Sequence, residues 1–177
     1  LDYLQNRADK GFTVILAVAV SPPSGGLGPN RQGDSPYSGS LGNLTVTSGN
    51  NPSIATEYDY WDHVEFVVTE AAKRNMYVAI LPAWSSSTSN RSLTTSNAQT
   101  YGNFLGTRFG KNYSNIIWMM GGDDNNGFYP ELWRPLAKGV SIGATGGEDY
   151  TKTLMTYHPG GGKNSATSLH NETWLDF

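Results

Sequence analysis

Asp123 is the side chain whose position best fits acid–base chemistry. It follows the apolar run Ile116–Met120 and two glycines, Gly121 and Gly122. A carboxyl at the end of a buried strand is expected to be partly desolvated, and burial raises a carboxylic acid towards the range in which it donates a proton near neutral pH. Cleavage of a glycosidic bond needs such an acid to protonate the leaving oxygen, with a second carboxylate across the scissile bond as nucleophile or base. The competing reading is that Asp123 or Asp124 caps the turn that follows; Asp124, one position further out, suits the structural role better.

Other residues at the ends of apolar runs complete a sugar-binding site. Trp84 offers a ring face, and His158 a donor or acceptor for a hydroxyl or carboxylate. Asn30 and Asp34 stand in the first long polar segment, and His170 and Asn171 precede the last apolar run. Each also has an ordinary explanation: Trp84 as core, His158 as a structural histidine, Asp34 as a turn residue. Together, polar and aromatic residues at successive strand ends favour a site. Trp61, Trp118 and Trp133 lie inside helix or strand patterns and are read as core.

The elements that must position these residues follow from periodicity. Leu1, Leu4 and Ala8 recur at helical spacing before Gly11, a C-cap type. Phe12–Val20 is apolar on nearly every residue, as a strand buried on both faces would be. Residues 21–56 are rich in Gly, Pro, Ser and Asn, which predicts a functional loop. Helical spacing returns from Tyr60 to Ala72, with Asn75 as a left-handed cap. Met76–Leu81 reads as a strand and about 97–109 as a helix. Ile116–Met120 is a strand, about 131–142 a helix, and Thr153–Tyr157 a strand; Trp174–Phe177 resembles the start of one more strand. Alternating strands and helices predict βαβ units around a parallel sheet, either an open doubly wound sheet or a (β/α)8 barrel. The long polar segments all follow strands, whereas the connections around Asn75 and 110–115 are short. Function is therefore expected on the face formed by the C-terminal strand ends.

Composition narrows the partners. The chain has 177 residues, 37% hydrophobic and 15% charged, with net charge −3. Weak acidity argues against nucleic acid or an anionic membrane surface, both of which call for a basic patch. No apolar run approaches the ~20 residues that span a bilayer. With no cysteine there is no disulfide, thiolate catalysis or cysteine-ligated zinc. N-x-Ser/Thr sequons at Asn43, Asn90, Asn112 and Asn171, with the Gly, Ser, Thr, Asn, Trp and Tyr content, are in keeping with a secreted glycoprotein. Gly25-Gly26-Leu27-Gly28 and Gly160-Gly161-Gly162-Lys163 match neither nucleotide-binding pattern. From Asp123, the third and fifth positions are Asn125 and Gly127, which breaks the EF-hand frame and leaves an irregular calcium site as a weaker alternative. No cofactor or metal is expected.

Several stretches resemble the apiosidase-like (β/α)8 barrel hydrolases, glycoside hydrolase family 140 and its relatives. They are Leu4-Gln5-Asn6-Arg7-Ala8-Asp9-Lys10-Gly11-Phe12-Thr13-Val14, Tyr60-Trp61-Asp62-His63-Val64 and Asn115-Ile116-Ile117-Trp118-Met119-Met120-Gly121-Gly122-Asp123. Leu154-Met155-Thr156-Tyr157-His158-Pro159 and His170-Asn171-Glu172-Thr173-Trp174-Leu175-Asp176-Phe177 follow in the same order. The resemblance implies an α/β fold, a (β/α)8 TIM barrel of which this chain carries about strands 2 to 6. Residues 1–177 would then be part of one catalytic domain, since a complete barrel takes about 250 residues. It further implies that Asp123 is the acid/base, that a Glu on a later strand outside this segment is its partner, and that the substrate is plant-type polysaccharide, apiose-bearing pectin being the family's case. The rival expectations are a non-catalytic carbohydrate-binding barrel and an assembly protein on a hydrolase-like fold.

Overall fold

The computed structural model describes residues 1–20, 29–84, 92–123 and 129–177. Helix α1 (Asp2–Asp9) leads into strand β1 (Val14–Val18), and Gly11 takes the left-handed conformation, φ 80°, that ends the helix. Then come α2 (Tyr60–Ala72), β2 (Tyr77–Leu81), α3 (Ala98–Leu105) with a π-turn (Gly106–Gly110), and β3 (Ile116–Gly121). Helix α4 (Pro130–Thr145), a 3-10 turn (Tyr150–Lys152), β4 (Met155–His158) and the short α5 (Ala166–Leu169) complete the order.

All strands pair in parallel, in the sequential order β1-β2-β3-β4. A doubly wound sheet reverses its strand order at a switch point. This sheet advances one neighbour at a time, as the wall of a (β/α)8 barrel does, so the fold is a partial TIM-barrel-like arrangement.

The register puts Ile15, Val78, Ile116 and, further along, Ile80, Trp118 and Met155 on one face. That face is buried against the helix layer. The opposite face stays open among the described residues: Val14 is 41% and Leu16 51% exposed, and Tyr77 on β2 is 46% exposed. These side chains alternate onto the surface that a barrel turns inward, and no described residue covers them.

Helix α2 starts where it does because Asp59 caps it. The Asp59 carboxylate accepts from the Trp61 and Asp62 amides at 2.6 and 3.1 Å, and Asp62 accepts from the Asp59 amide at 2.8 Å. Asp59 Oδ2 also accepts from Thr47 N at 2.7 Å, and the Trp61 indole donates to Pro36 O at 3.0 Å. The described part of the expected loop, residues 29–56, is thus tied to the start of α2, with Leu41 fully buried.

Helices α3 and α4 approach through glycine. A Cβ at Gly102 would lie 2.3 Å from Leu136 O, and one at Gly139 2.2 Å from Gln99 O; Gly106 and Gly143 repeat the pattern one turn on. Trp61, Trp118 and Trp133 are core, as their patterns predict.

The expected last strand is corrected: Trp174–Phe177 forms no strand. Asp176 N donates to Met155 O, but Met155 N donates to the Asp176 carboxylate at 2.7 Å. The side chain takes the place of the backbone carbonyl that a ladder needs.

Candidate active site

The C-terminal ends of β2, β3 and β4 lie side by side, and each carries one predicted residue. At β3, Gly121 (φ 90°) and Gly122 (φ 122°) turn the chain through a region that L side chains avoid. A Cβ at Gly121 would sit 2.5 Å from His158 O and 2.8 Å from Tyr157 ring carbons, so close approach demands glycine there as much as the dihedral does. Gly122 N donates to His158 O at 2.9 Å, locking the turn to β4.

The turn delivers Asp123 beside His158, with Oδ1 3.7 Å from the ring Nδ1. The Asp123 side chain is 61% exposed and that of His158 29%. Two positive-φ residues carry the carboxyl past the last sheet hydrogen bond, and the described residues cover it only in part. From the end of β2, the half-buried Trp84 sets its ring 5.4 Å from that of His158 at an interplanar angle of 53°. Trp84, Asp123 and His158 therefore form one cluster. Asp124, Asn125 and Gly127, with both the capping and the calcium readings, lie outside the described residues, as do Gly25–Gly28 and the Asn90 sequon.

Two phenols that the sequence did not single out, Tyr60 half-buried and Tyr101 fully buried, fix the strand ends. Tyr60 OH donates to Ala19 O at 2.6 Å, and Tyr101 OH to Pro82 O at 2.7 Å. Burial raises both above the ordinary tyrosine range, Tyr101 well above it, so both remain donors. Their clue in the sequence is an aromatic hydroxyl on a helix's buried stripe, which needs a polar partner. Ala19 N in turn bonds Leu81 O, and Trp84 N bonds Val20 O.

The remaining predicted residues lie elsewhere. Asn30 Oδ1 accepts from the amides of Gln32 and Asp34 at 2.9 Å each, and Asn30 N donates to Asp34 O. That is a closed local turn. Asn30 also lines a cavity of about 170 Å³ between β1 and α2, with Ala17, Tyr60, Val64 and Ile80. His170 faces Ala166 O through Nδ1 at 2.9 Å. Asn171 opens on a separate groove of about 480 Å³ beside Arg134 and Glu172. There Arg134 holds Glu172 by a two-pronged pair at 2.6 and 2.9 Å, and the Trp174 indole donates to the same carboxylate. This keeps Glu172 below the usual carboxylate range, chiefly through the Arg134 hydrogen bonds. Among the described residues no hydrogen bond or ion pair joins Asn30, Asp34, His170 or Asn171 to Asp123 or His158. No group of three metal-ligating side chains occurs among the described residues either.

Comparison with known proteins follows the same lines. The family model described as "Apiosidase-like, catalytic domain" matches residues 1–177. A solved structure described as a glycoside hydrolase is 29% identical, with a TM-score of 0.81 over 99% of this chain. A glycoside hydrolase family 5 crystal structure from Bacteroides vulgatus ATCC 8482 has the same identity and TM-score, again over 99% of this chain. This chain spans 36% and 35% of those two proteins. No curated protein matches it significantly.

Proposed function

The chain belongs to the apiosidase-like catalytic-domain family, and from that premise we propose that it forms the acid-bearing part of a secreted glycosidase acting on plant-type polysaccharide, apiose-bearing pectin in particular. The observation that carries the reading is the meeting of Trp84, Asp123 and His158 at the ends of three adjacent parallel strands. An aromatic face, a carboxyl and an imidazole are the groups needed to stack a sugar ring, protonate its glycosidic oxygen and orient the acid.

In this reading residues 1–177 are part of one TIM-barrel catalytic domain. Asp123 protonates the leaving oxygen, and a Glu outside this segment is the opposing nucleophile or base. The distance between the two carboxyls sets the stereochemistry: about 5–5.5 Å gives retention and about 6.5–9.5 Å inversion. Trp84 stacks on the sugar next to the scissile bond, and Asn30, Asp34, His170 and Asn171 line the surrounding loops for more distant sugar contacts. The exposed sequon residues Asn43 and Asn112 leave room for glycans.

The test is turnover of apiose-rich pectin by the whole protein that contains this domain, followed by chromatography of the released sugars, alongside binding measured on the same glycan. Asp123→Asn should lower turnover by about 10²- to 10⁴-fold, the range for loss of a general acid, and leave binding in place. A wild-type protein that binds the glycan without cleaving it would instead be a carbohydrate-binding barrel. One that does neither would be an assembly protein on a hydrolase-like fold.

A further inference from the structure

His158 carries an unusual nitrogen. Its Nδ1 is shielded from solvent and has no hydrogen-bond partner among the described residues, yet the ring as a whole is 29% exposed. The residue is held in place by three contacts, one of them to the ring. The backbone sits in register with Gly121, its carbonyl accepts from Gly122 N, and the ring packs against Trp84. Among the described residues, the charged group that faces Nδ1 is the Asp123 carboxylate at 3.7 Å.

A neutral imidazole has one N–H and one bare nitrogen, and the surroundings select the tautomer. A bare Nδ1 would point a lone pair at a carboxylate across a space that water does not enter, which repels. An Nδ1–H points a donor at an acceptor. The 3.7 Å gap is longer than a hydrogen bond. Catalytic hydrogen bonds are often long in a free enzyme and tighten when substrate binds, and the exposed Asp123 side chain is free to rotate towards the fixed ring.

We infer that His158 is a positioning residue: its Nδ1–H donates to Asp123 Oδ1 and turns the carboxyl so that Oδ2 is the oxygen that carries and delivers the proton. This rests on the proposed acid role of Asp123 and adds the group that orients it. Fixing one oxygen leaves a single productive rotamer of a side chain that the two glycines have carried into solvent. It also assigns the strand-end histidine to the acid rather than to the sugar.

The first experiment needs no substrate. Long-range nitrogen–proton NMR spectra of the chain, recorded with neutral imidazoles, distinguish the tautomers of its three histidines. His158 should be in the Nδ1–H form, and Asp123→Ala should release it into a mixture. His170, whose Nδ1 faces a backbone carbonyl, should stay Nδ1–H in both and serves as the control. A bare Nδ1 at His158 in the wild type, or a tautomer indifferent to Asp123→Ala, would overturn the inference.

The second experiment is kinetic, on the active enzyme that contains this domain. His158→Phe keeps the ring against Trp84 but removes the donor, and should lower kcat by about 10²-fold, the cost of a misplaced reacting group, with KM little changed. His158→Asn, whose amide brings an N–H close to the Nδ1 position, should recover most of that loss. A rise in KM with kcat intact would overturn the inference and make His158 a sugar ligand. An Asp123-dependent tautomer in a protein that cleaves no glycan would retain the pair and reject only the hydrolase reading.

Discussion

The contact between α3 and α4 and the rim formed by the strand ends are built on opposite rules. At the helix contact, glycines let two backbones meet, every neighbour is fixed, and a single added methyl has nowhere to go. At the rim, glycines serve the reverse purpose: Gly121 and Gly122 bend the chain away from the sheet and leave Asp123 in solvent. The same residue type therefore gives rigidity in one place and reach in the other. The difference lies in what faces the missing Cβ. Damage to the first region should appear as lost stability, and damage to the second as lost chemistry.

The largest stability effect is expected at Gly139→Ala. The new Cβ would meet Gln99 O and Asn103 N within 2.8 Å, forcing the helices apart at a cost of about 3 kcal/mol. For a chain of this size that is a drop in Tm of about 6–12 °C, measurable by circular dichroism. A melting curve matching the wild type would remove the close-approach account.

Asp59→Ala should come next. It removes the cap of α2 and the anchor for Thr47, costing about 1–2 kcal/mol; chemical denaturation would read it.

A smaller, pH-dependent effect belongs to Arg134. Its partner Glu172 has a folded-state pKa below the ordinary value. The pair's contribution is therefore complete above the unfolded carboxylate range and fades as pH falls through the lower, folded value. Arg134→Gln should melt about 1–3 °C lower at neutral pH, as exposed pairs contribute little. That gap should close as pH falls below the ordinary carboxylate range and through the lowered folded-state value, and a gap independent of pH would argue against the ion pair.

The smallest expected shift sharpens the comparison most. Asp123→Asn should leave Tm within about 1 °C of the wild type, since substitutions at exposed sites are usually nearly neutral and the isosteric amide keeps an oxygen for His158. The same variant carries the largest expected loss of turnover.

Much of the fold was legible in the sequence. Isoleucine, valine and tryptophan spacings located the helices, the four strands and the buried tryptophans, because a residue's face is set by its neighbours three or four positions away in a helix and two away in a strand. The placement of Asp123 just past a strand and two glycines, and its pairing with Trp84 and His158 at adjacent strand ends, followed from the parallel order. Trp174–Phe177 shows where that reasoning fails: its apolar residues suggest a strand, but the Asp176 side chain replaces a ladder carbonyl.

The sequence by itself determined the order of elements, the family and the face on which chemistry is possible, since all three are written in local patterns and short motifs. Tertiary structure alone decided that Gly102 meets Leu136, that Tyr101 holds Pro82, that Asp123 stands open to water and that the His158 Nδ1 faces it. These are relations between residues separated by 19 to 35 positions, and only the packing of helices and strands brings such partners within the few ångströms over which hydrogen bonds and steric contacts act.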